Sequence, residues 1–271
     1  MLTFALITDL HFGPEAGFAG KLRKLTRSAP GLAKAFVGRM NDVVRPDFIV
    51  NLGDDIEDES HDADLARYRA CVDLLRGANA ELFNVAGNHD TAHLSASELL
   101  SVWRRPELST LHYSFDRQGV HFVVLHTVER KDVNVTVGEE QLAFLRDDLA
   151  RTSAPSIVLM HHSAAEQDLR GNRWFEGSPH ICLVEERQAL RKILRESGRV
   201  QAVFNGHLHW NHLDVIDGIP FVTLQSLIEN LDDDAPGRPA AAHAVVVVER
   251  ERIVVKIEGA ERATYQFDAP A

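Results

Sequence analysis

The sequence is short of the features that mark secreted, membrane-spanning or nucleic-acid-coating chains. It holds two cysteines, Cys71 and Cys182. Two are too few for a disulfide framework in a chain this long, and neither belongs to a CxxC pair, so both are read as buried free thiols in a reducing compartment. Positive charge is scarce as well. Lysine and arginine total 29 against 40 acids, a net charge of −11. Duplex nucleic acid is bound through its phosphates by basic surfaces, so it is not an expected partner. Long apolar runs are absent. The opening segment, residues 1–9, has no basic stretch before it and no small-residue cleavage site after it. It is too short to span a membrane, and residues 245–248 are shorter still. The expectation is a cytoplasmic protein that starts at or near Met1 and has no membrane span.

What remains is an ordinary globular composition, 45% hydrophobic and 25% charged. A length of 271 residues is enough for a large core. No linker divides the chain, and we read residues 1–271 as one domain. A short apolar run at 4–8 reads as a buried strand feeding a polar loop. Helical spacing covers 20–44, and Pro46 stops it. Strands follow at 48–52 and 82–86, with a helix at 63–76 between them. A helix at 95–103 precedes a hairpin, 111–115 with 120–126. Helices at 139–150 and 184–196 alternate with strands at 156–160 and 201–205. The last third is strand-rich, with runs at 211–216, 220–224, 242–248 and 253–257. Residues 166–180 read as a long loop and 232–242 as an exposed acidic one. Alternating strands and helices predict a layered α/β fold.

Five polar clusters each follow an apolar strand-like run: Asp9-Leu-His11, Gly53-Asp54, Gly87-Asn88-His89-Asp90, His161-His162 and Gly206-His207-Leu-His209. Ligands of open α/β sheets bind beyond the carboxyl ends of strands, so five such ends can share one site. Aspartate, asparagine and histidine form a mixed oxygen and nitrogen donor set that suits Mn, Fe, Co, Ni or Zn. In an extended segment residues i and i+2 point the same way, which pairs Asp9 with His11 and His207 with His209. Alone, Asp9-Leu-His11 is a weak signal and Gly53-Asp54 ordinary turn chemistry, while Gly206-His207-Leu-His209 is moderately specific. The ordered set is what specifies a metal site. A scaffold without metal has no physical use for so many desolvated carboxylates and imidazoles.

That set resembles the calcineurin-like metallophosphoesterase family over residues 9–209. The resemblance implies an α/β fold, a four-layer α-β-β-α sandwich of two mixed β-sheets flanked by helices, with the strand-rich C-terminal third in the second sheet. It implies two adjacent divalent or trivalent metal ions, manganese or iron ahead of zinc, cobalt or nickel. Asp9, His11 and His209 would hold one, Asn88, His161 and His207 the other, and Asp54 would bridge them. His89 matches the family's catalytic histidine, with Asp90 as a candidate to orient it. The implied reaction is hydrolysis of a small-molecule phosphodiester, such as a cyclic nucleotide or glycerophosphodiester, by a metal-bridging hydroxide. Phosphomonoesterase or nucleotide pyrophosphatase activity is the alternative, and a non-catalytic scaffold is the competing class. The acidic stretch Asp55, Glu57, Asp58 and Glu59 departs from the family pattern and is read as a solvated loop or helix start. Candidate substrate contacts are Arg170, Arg173 and Trp174, with neighbouring Phe175, and Trp210 and His212 after the last ligand. His93 and His126 are read as structural or surface residues. A homodimer through the C-terminal strands is expected by analogy.

Overall fold

Strands that are apolar on both faces need cover on both faces, and this requirement builds the molecule. The computed structural model describes residues 1–268. In chain order it runs β1 (Leu2–Ile7), β2 (Ala16–Phe18), β3 (Lys21–Lys24), α1 (Ala29–Arg39), β4 (Phe48–Asn51), α2 (His61–Leu75), β5 (Glu81–Asn84), α3 (Ala96–Trp103), β6 (Tyr113–Arg117) and β7 (Val120–Val124). It continues β8 (Val128–Arg130), β9 (Asn134–Thr136), α4 (Gly138–Arg151), β10 (Ser156–Leu159), α5 (Arg187–Ser197), β11 (Val200–Asn205), β12 (His212–Ile216), β13 (Ile219–Thr223), β14 (His243–Val248), β15 (Arg252–Glu258) and β16 (Ala263–Asp268).

Two six-stranded sheets result, ordered β16-β15-β14-β1-β4-β5 and β12-β13-β11-β10-β7-β6. Both are mixed. β1, β4 and β5 are parallel in the first, and β7, β10, β11 and β13 in the second. Side chains of each sheet alternate between a shared inner core and an outer one. Phe4, Leu6, Phe48 and Val50 meet Phe122, Val124, Leu159 and Phe204 between the sheets. Ala5, Ile7 and Ile49 turn outward to Phe36 of α1 and Leu75 of α2. Val123, Val158 and Val203 turn outward to Leu145 of α4 and Leu190 of α5. The expected α-β-β-α sandwich is therefore the observed one. Aromatic rings set the spacing between its sheets. Phe4 stacks on Phe48 at 5.1 Å and meets Phe122 edge-on at 5.5 Å.

Two expectations need correction. Residues 20–25 are not helical, because Lys21–Lys24 pairs with Ala16–Phe18 as a hairpin; a 3-10 turn at Thr26–Ser28 leads into α1 at Ala29. Pro30 lies in the first turn of α1, where its missing N–H costs nothing. The C-terminal strands do not share one sheet. β12 and β13 join the second, while β14, β15 and β16 extend the first. The hairpins β2-β3 and β8-β9 and the last strand were not foreseen.

Candidate metal centre

Every candidate ligand lies just beyond a strand. Asp9 and His11 follow β1, Asp54 follows β4, Asn88 follows β5, His161 follows β10, and His207 and His209 follow β11. The parallel strands of both sheets deliver these loops to one edge of the sandwich. The i, i+2 pairs come together, though not in extended backbone. Asp9, His11, Asp54, His207 and His209 have φ of 52°, 46°, 57°, 65° and 51°. That left-handed region costs an ordinary residue about 1–2 kcal/mol, so the surroundings hold these loops in place. Two glycines let the loops touch. A Cβ on Gly87 would lie 2.1 Å from Asp54 Oδ1 and 2.3 Å from Asp54 N, and one on Gly206 would lie 2.0 Å from Thr8 Oγ1.

Asp54 sits between two groups of donors. Its Oδ2 is 3.2 Å from His161 Nε2 and 3.8 Å from His11 Nε2. On one side Asp9 Oδ1 is 3.3 Å from His209 Nε2 and 3.7 Å from His11 Nε2. On the other, Asn88 Oδ1 is 3.2 Å from His161 Nε2. Among the described residues His207 Nε2 is buried without a hydrogen-bond partner, and Asp9 Oδ1 faces only the imidazoles of His209 and His11. His162 packs its ring 3.9 Å from that of His207 and bonds Thr127 through Nδ1 at 2.7 Å. His161, not His162, is the one beside Asp54 and Asn88.

The far side of several imidazoles is anchored, as metal-binding histidines require. His161 Nδ1 donates to the Leu52 carbonyl at 2.9 Å. His209 Nδ1 donates to Glu229 at 2.8 Å, and His11 Nδ1 lies 3.1 Å from Glu57. The Nε2 atoms of His11 and His209 then face each other at 3.3 Å. With both Nδ1 protons committed to carboxylates, a shared proton or a cation must lie between them. The charge balance agrees. Burial opposes ionisation of Asp9 and Asp54, yet the histidines around them hold both carboxyls well below the usual range. Burial also works against protonated His161 and His209, but Asp54 pushes the first up to about 10 and Asp9 with Glu229 the second up to about 9. These carboxylates gather positive charge, and a divalent ion would occupy the same positions. The residues therefore fit a metal pair, with no thiol among the donors.

The acidic stretch after Asp54 is not a solvated loop. Asp55 is fully buried and accepts both bonds from Asn51 Nδ2 at 2.7 Å. Glu57 meets His11 and Lys24, and Asp58 bonds His89 Nδ1. Asp90 does not orient His89. Its carboxylate turns back to accept the N–H groups of Asp54, Asp55 and Gly87 at 3.0, 2.8 and 2.9 Å, closing its own turn. Burial, then nearby Asp54, pushes its pKa up to about 7.

A pocket of about 660 Å³ opens in front of these groups. Asp54, Asn88, His89, His207 and His209 line its floor, and Trp174 with Phe175 form a wall. The remaining substrate candidates lie elsewhere. Arg170 is exposed and paired with Asp168. Arg173 donates to the Asn230 carbonyl and pairs with Glu229 and Asp233. Trp210 stacks on His212, and His212 pairs with Asp214 at 3.3 Å. Sequence reasoning missed Phe18 and Lys24 of the first hairpin, and Glu129 and Lys131 on or beside β8, all of which line the pocket. His93 also reaches its rim, held by buried Asp64 at 2.7 Å. His126 is not among the pocket's lining residues, and its backbone N–H donates to Gln141 Oε1 at 2.8 Å. Both cysteines are buried free thiols. Among the described residues no helix is long and apolar enough to cross a membrane.

Comparison with known proteins places this arrangement. A family model described as calcineurin-like phosphoesterase matches residues 2–211. A "probable cyclic nucleotide phosphodiesterase" of Rhodococcus erythropolis is 28% identical over 224 residues, 79% of this chain and 67% of that protein. A Synechococcus protein with the same description is 26% identical over 210 residues, 75% of this chain and 74% of that one. A dimetal phosphatase from Danio rerio has the same fold, with a TM-score of 0.78 at 20% identity and 99% of each chain covered. An anchor of the Plasmodium inner membrane complex shares it at a TM-score of 0.63 and 14% identity, covering all of this chain and 89% of that one.

Proposed function

The chain belongs to the calcineurin-like phosphoesterase family, and from that membership we propose that it is a two-metal phosphodiesterase acting on a small diester such as a cyclic nucleotide or glycerophosphodiester. The observation that carries the reading is the convergence of Asp9, His11, Asp54, Asn88, His161, His207 and His209 from both sheets behind one pocket. Asp9, His11 and His209 would hold one ion, Asn88, His161 and His207 the other, and Asp54 both. Two ions bound there, manganese or iron by preference for this oxygen and nitrogen set, would neutralise the phosphoryl oxygens and supply an acidified water as nucleophile. The descriptions of the two bacterial relatives support a diester over a monoester.

The chain's own groups do the rest. His89 is anchored at Nδ1 by Asp58, and its Nε2, 3.3 Å from Lys24 Nζ, is the nitrogen that would stabilise or protonate the leaving oxygen. Trp174 and Phe175 offer a face to an apolar or aromatic part of the substrate. The test is hydrolysis of paired chromogenic esters, one diester and one monoester, in Mn²⁺. We expect diester cleavage that a chelator and Asp54→Ala each abolish. His89→Ala should keep its metal and lose about 10²–10⁴-fold in kcat. Turnover of the monoester alone would move the substrate class to phosphatase. Metal-loaded protein that cleaves neither would overturn the reading.

A further inference from the structure

A phosphate ester brings negative charge into a pocket whose protein walls are themselves acidic. Asp54, Glu57, Asp58 and Glu129 line it, and among its described lining residues only Lys24 and Lys131 are lysine or arginine. Lys131 is exposed. Lys24 is 5% exposed, and its Nζ lies among the site's own groups: 2.8 Å from Glu57 Oε2, 3.3 Å from His89 Nε2 and 3.4 Å from His11 Nδ1. Trp174 covers one side, its ring centre 5.3 Å from Nζ.

A buried lysine is costly unless something requires it there, and the fold goes to some length to fix this one. Lys24 ends the hairpin β2-β3 and bridges to Glu229. The adjoining backbone is tied by Asn230 N to the Arg23 carbonyl at 2.7 Å and by Leu25 N to the Ile228 carbonyl at 2.9 Å. Lys21 and Arg23 pair with Asp233 on the same segment. Glu229 in turn holds His209 and accepts from Trp174 Nε1 at 3.0 Å. One segment thus sets the position of an expected ligand, the aromatic wall and the ammonium together. A lysine that served only to neutralise Glu57 would need no opening in front of it, whereas Lys24 lines the pocket with its Nζ beside Nε2 of His89.

We propose that Lys24 is a phosphate-binding residue of this site, its ammonium donating to a non-bridging oxygen of the scissile phosphate next to His89. The proposal rests on the phosphoesterase reading and adds to it a cation that none of the strand-end motifs contains. Its role is to bind, so no proton or bond changes hands at Nζ.

The experiment is calorimetric titration of the metal-loaded protein with inorganic phosphate, alongside diester kinetics, for wild type, Lys24→Met and Lys24→Arg. Methionine keeps the stem against Trp174 and removes the charge. It should weaken phosphate binding about tenfold or more and raise KM by a similar factor, with metal content unchanged. Arginine should recover most of the phosphate affinity. Unchanged phosphate affinity in Lys24→Met overturns the proposal. Metal loss in both variants also overturns it, since Lys24 would then be a support for His11. If wild type binds phosphate but cleaves no ester, the phosphodiesterase reading fails, and the phosphate titration alone decides for Lys24.

Discussion

At the scale of single residues, the expected ligands were legible because each announces itself locally, as a polar residue directly after an apolar run. Their supports were not. Glu57, Asp58, Glu229 and Lys24 touch the site only because tertiary structure brings them there, and Glu57 and Asp58 lie in a stretch that looks solvated when read linearly. Asp90 misled for the opposite reason. Adjacency to His89 suggested a partner, but a carboxylate three residues past a glycine finds backbone N–H groups first. The loops' close contact gives a direct prediction. Gly87→Ala forces a Cβ against Asp54 N at 2.3 Å, backbone that has nowhere to move. We expect a loss of about 1–3 kcal/mol in urea unfolding and weaker metal binding in a titration. An unchanged metal affinity would show that Asp54 is not fixed by this contact.

Elements were readable where one period dominated. Strands buried on both faces show as plain apolar runs, and helices α2 to α5 were each anticipated to within a few residues. Residues 20–25 failed because Leu22 and Leu25 match a helical period while actually serving a hairpin and its exit. Short two-stranded units such as β8-β9 carry too few residues to show any period. The sheets also meet at their edges. Phe83 of β5 stacks on Phe115 of β6 at 3.7 Å, and Glu81 of β5 pairs with Arg117 of β6 and with Arg105. Partial burial raises the Glu81 pKa, but the bonds from Arg117 and Arg105 outweigh it and hold the carboxyl below its ordinary value. A lowered native pKa stabilises above the unfolded value, about 4.3 for glutamate, and the gain is lost as pH falls through the native one. Glu81→Gln should therefore cost under about 1 kcal/mol at pH 7, and the difference from wild type should shrink below about pH 4.3. Urea midpoints measured from pH 7 to pH 3 check this. A constant difference would mean that the charge contributes nothing.

At the scale of the whole molecule, the layered class followed from the alternation of strands and helices, but strand order did not. Nothing local in residues 243–268 says that they extend the first sheet rather than the second, because pairing with β1 is a long-range choice. We expect the two sheets to unfold together. The aromatic core between them is shared, so urea denaturation should show one transition by fluorescence and circular dichroism alike. Phe122→Ala should lower its free energy by about 3–5 kcal/mol. Metal at a hundred times its dissociation constant should raise it by about 2.7 kcal/mol for each site filled. Two separated transitions would divide the molecule into independent units. The position of β1 between β4 and β14 also bears on how the protein is made. During synthesis β1 emerges long before β14, so one flank of a largely buried strand waits, unpaired, until β14 is made. A message cut short before β14, or a protease nick ahead of it, would leave that flank open to a neighbouring chain. Holding factors on the ribosome and prompt disposal of truncated products then matter more for this protein than its folded stability suggests.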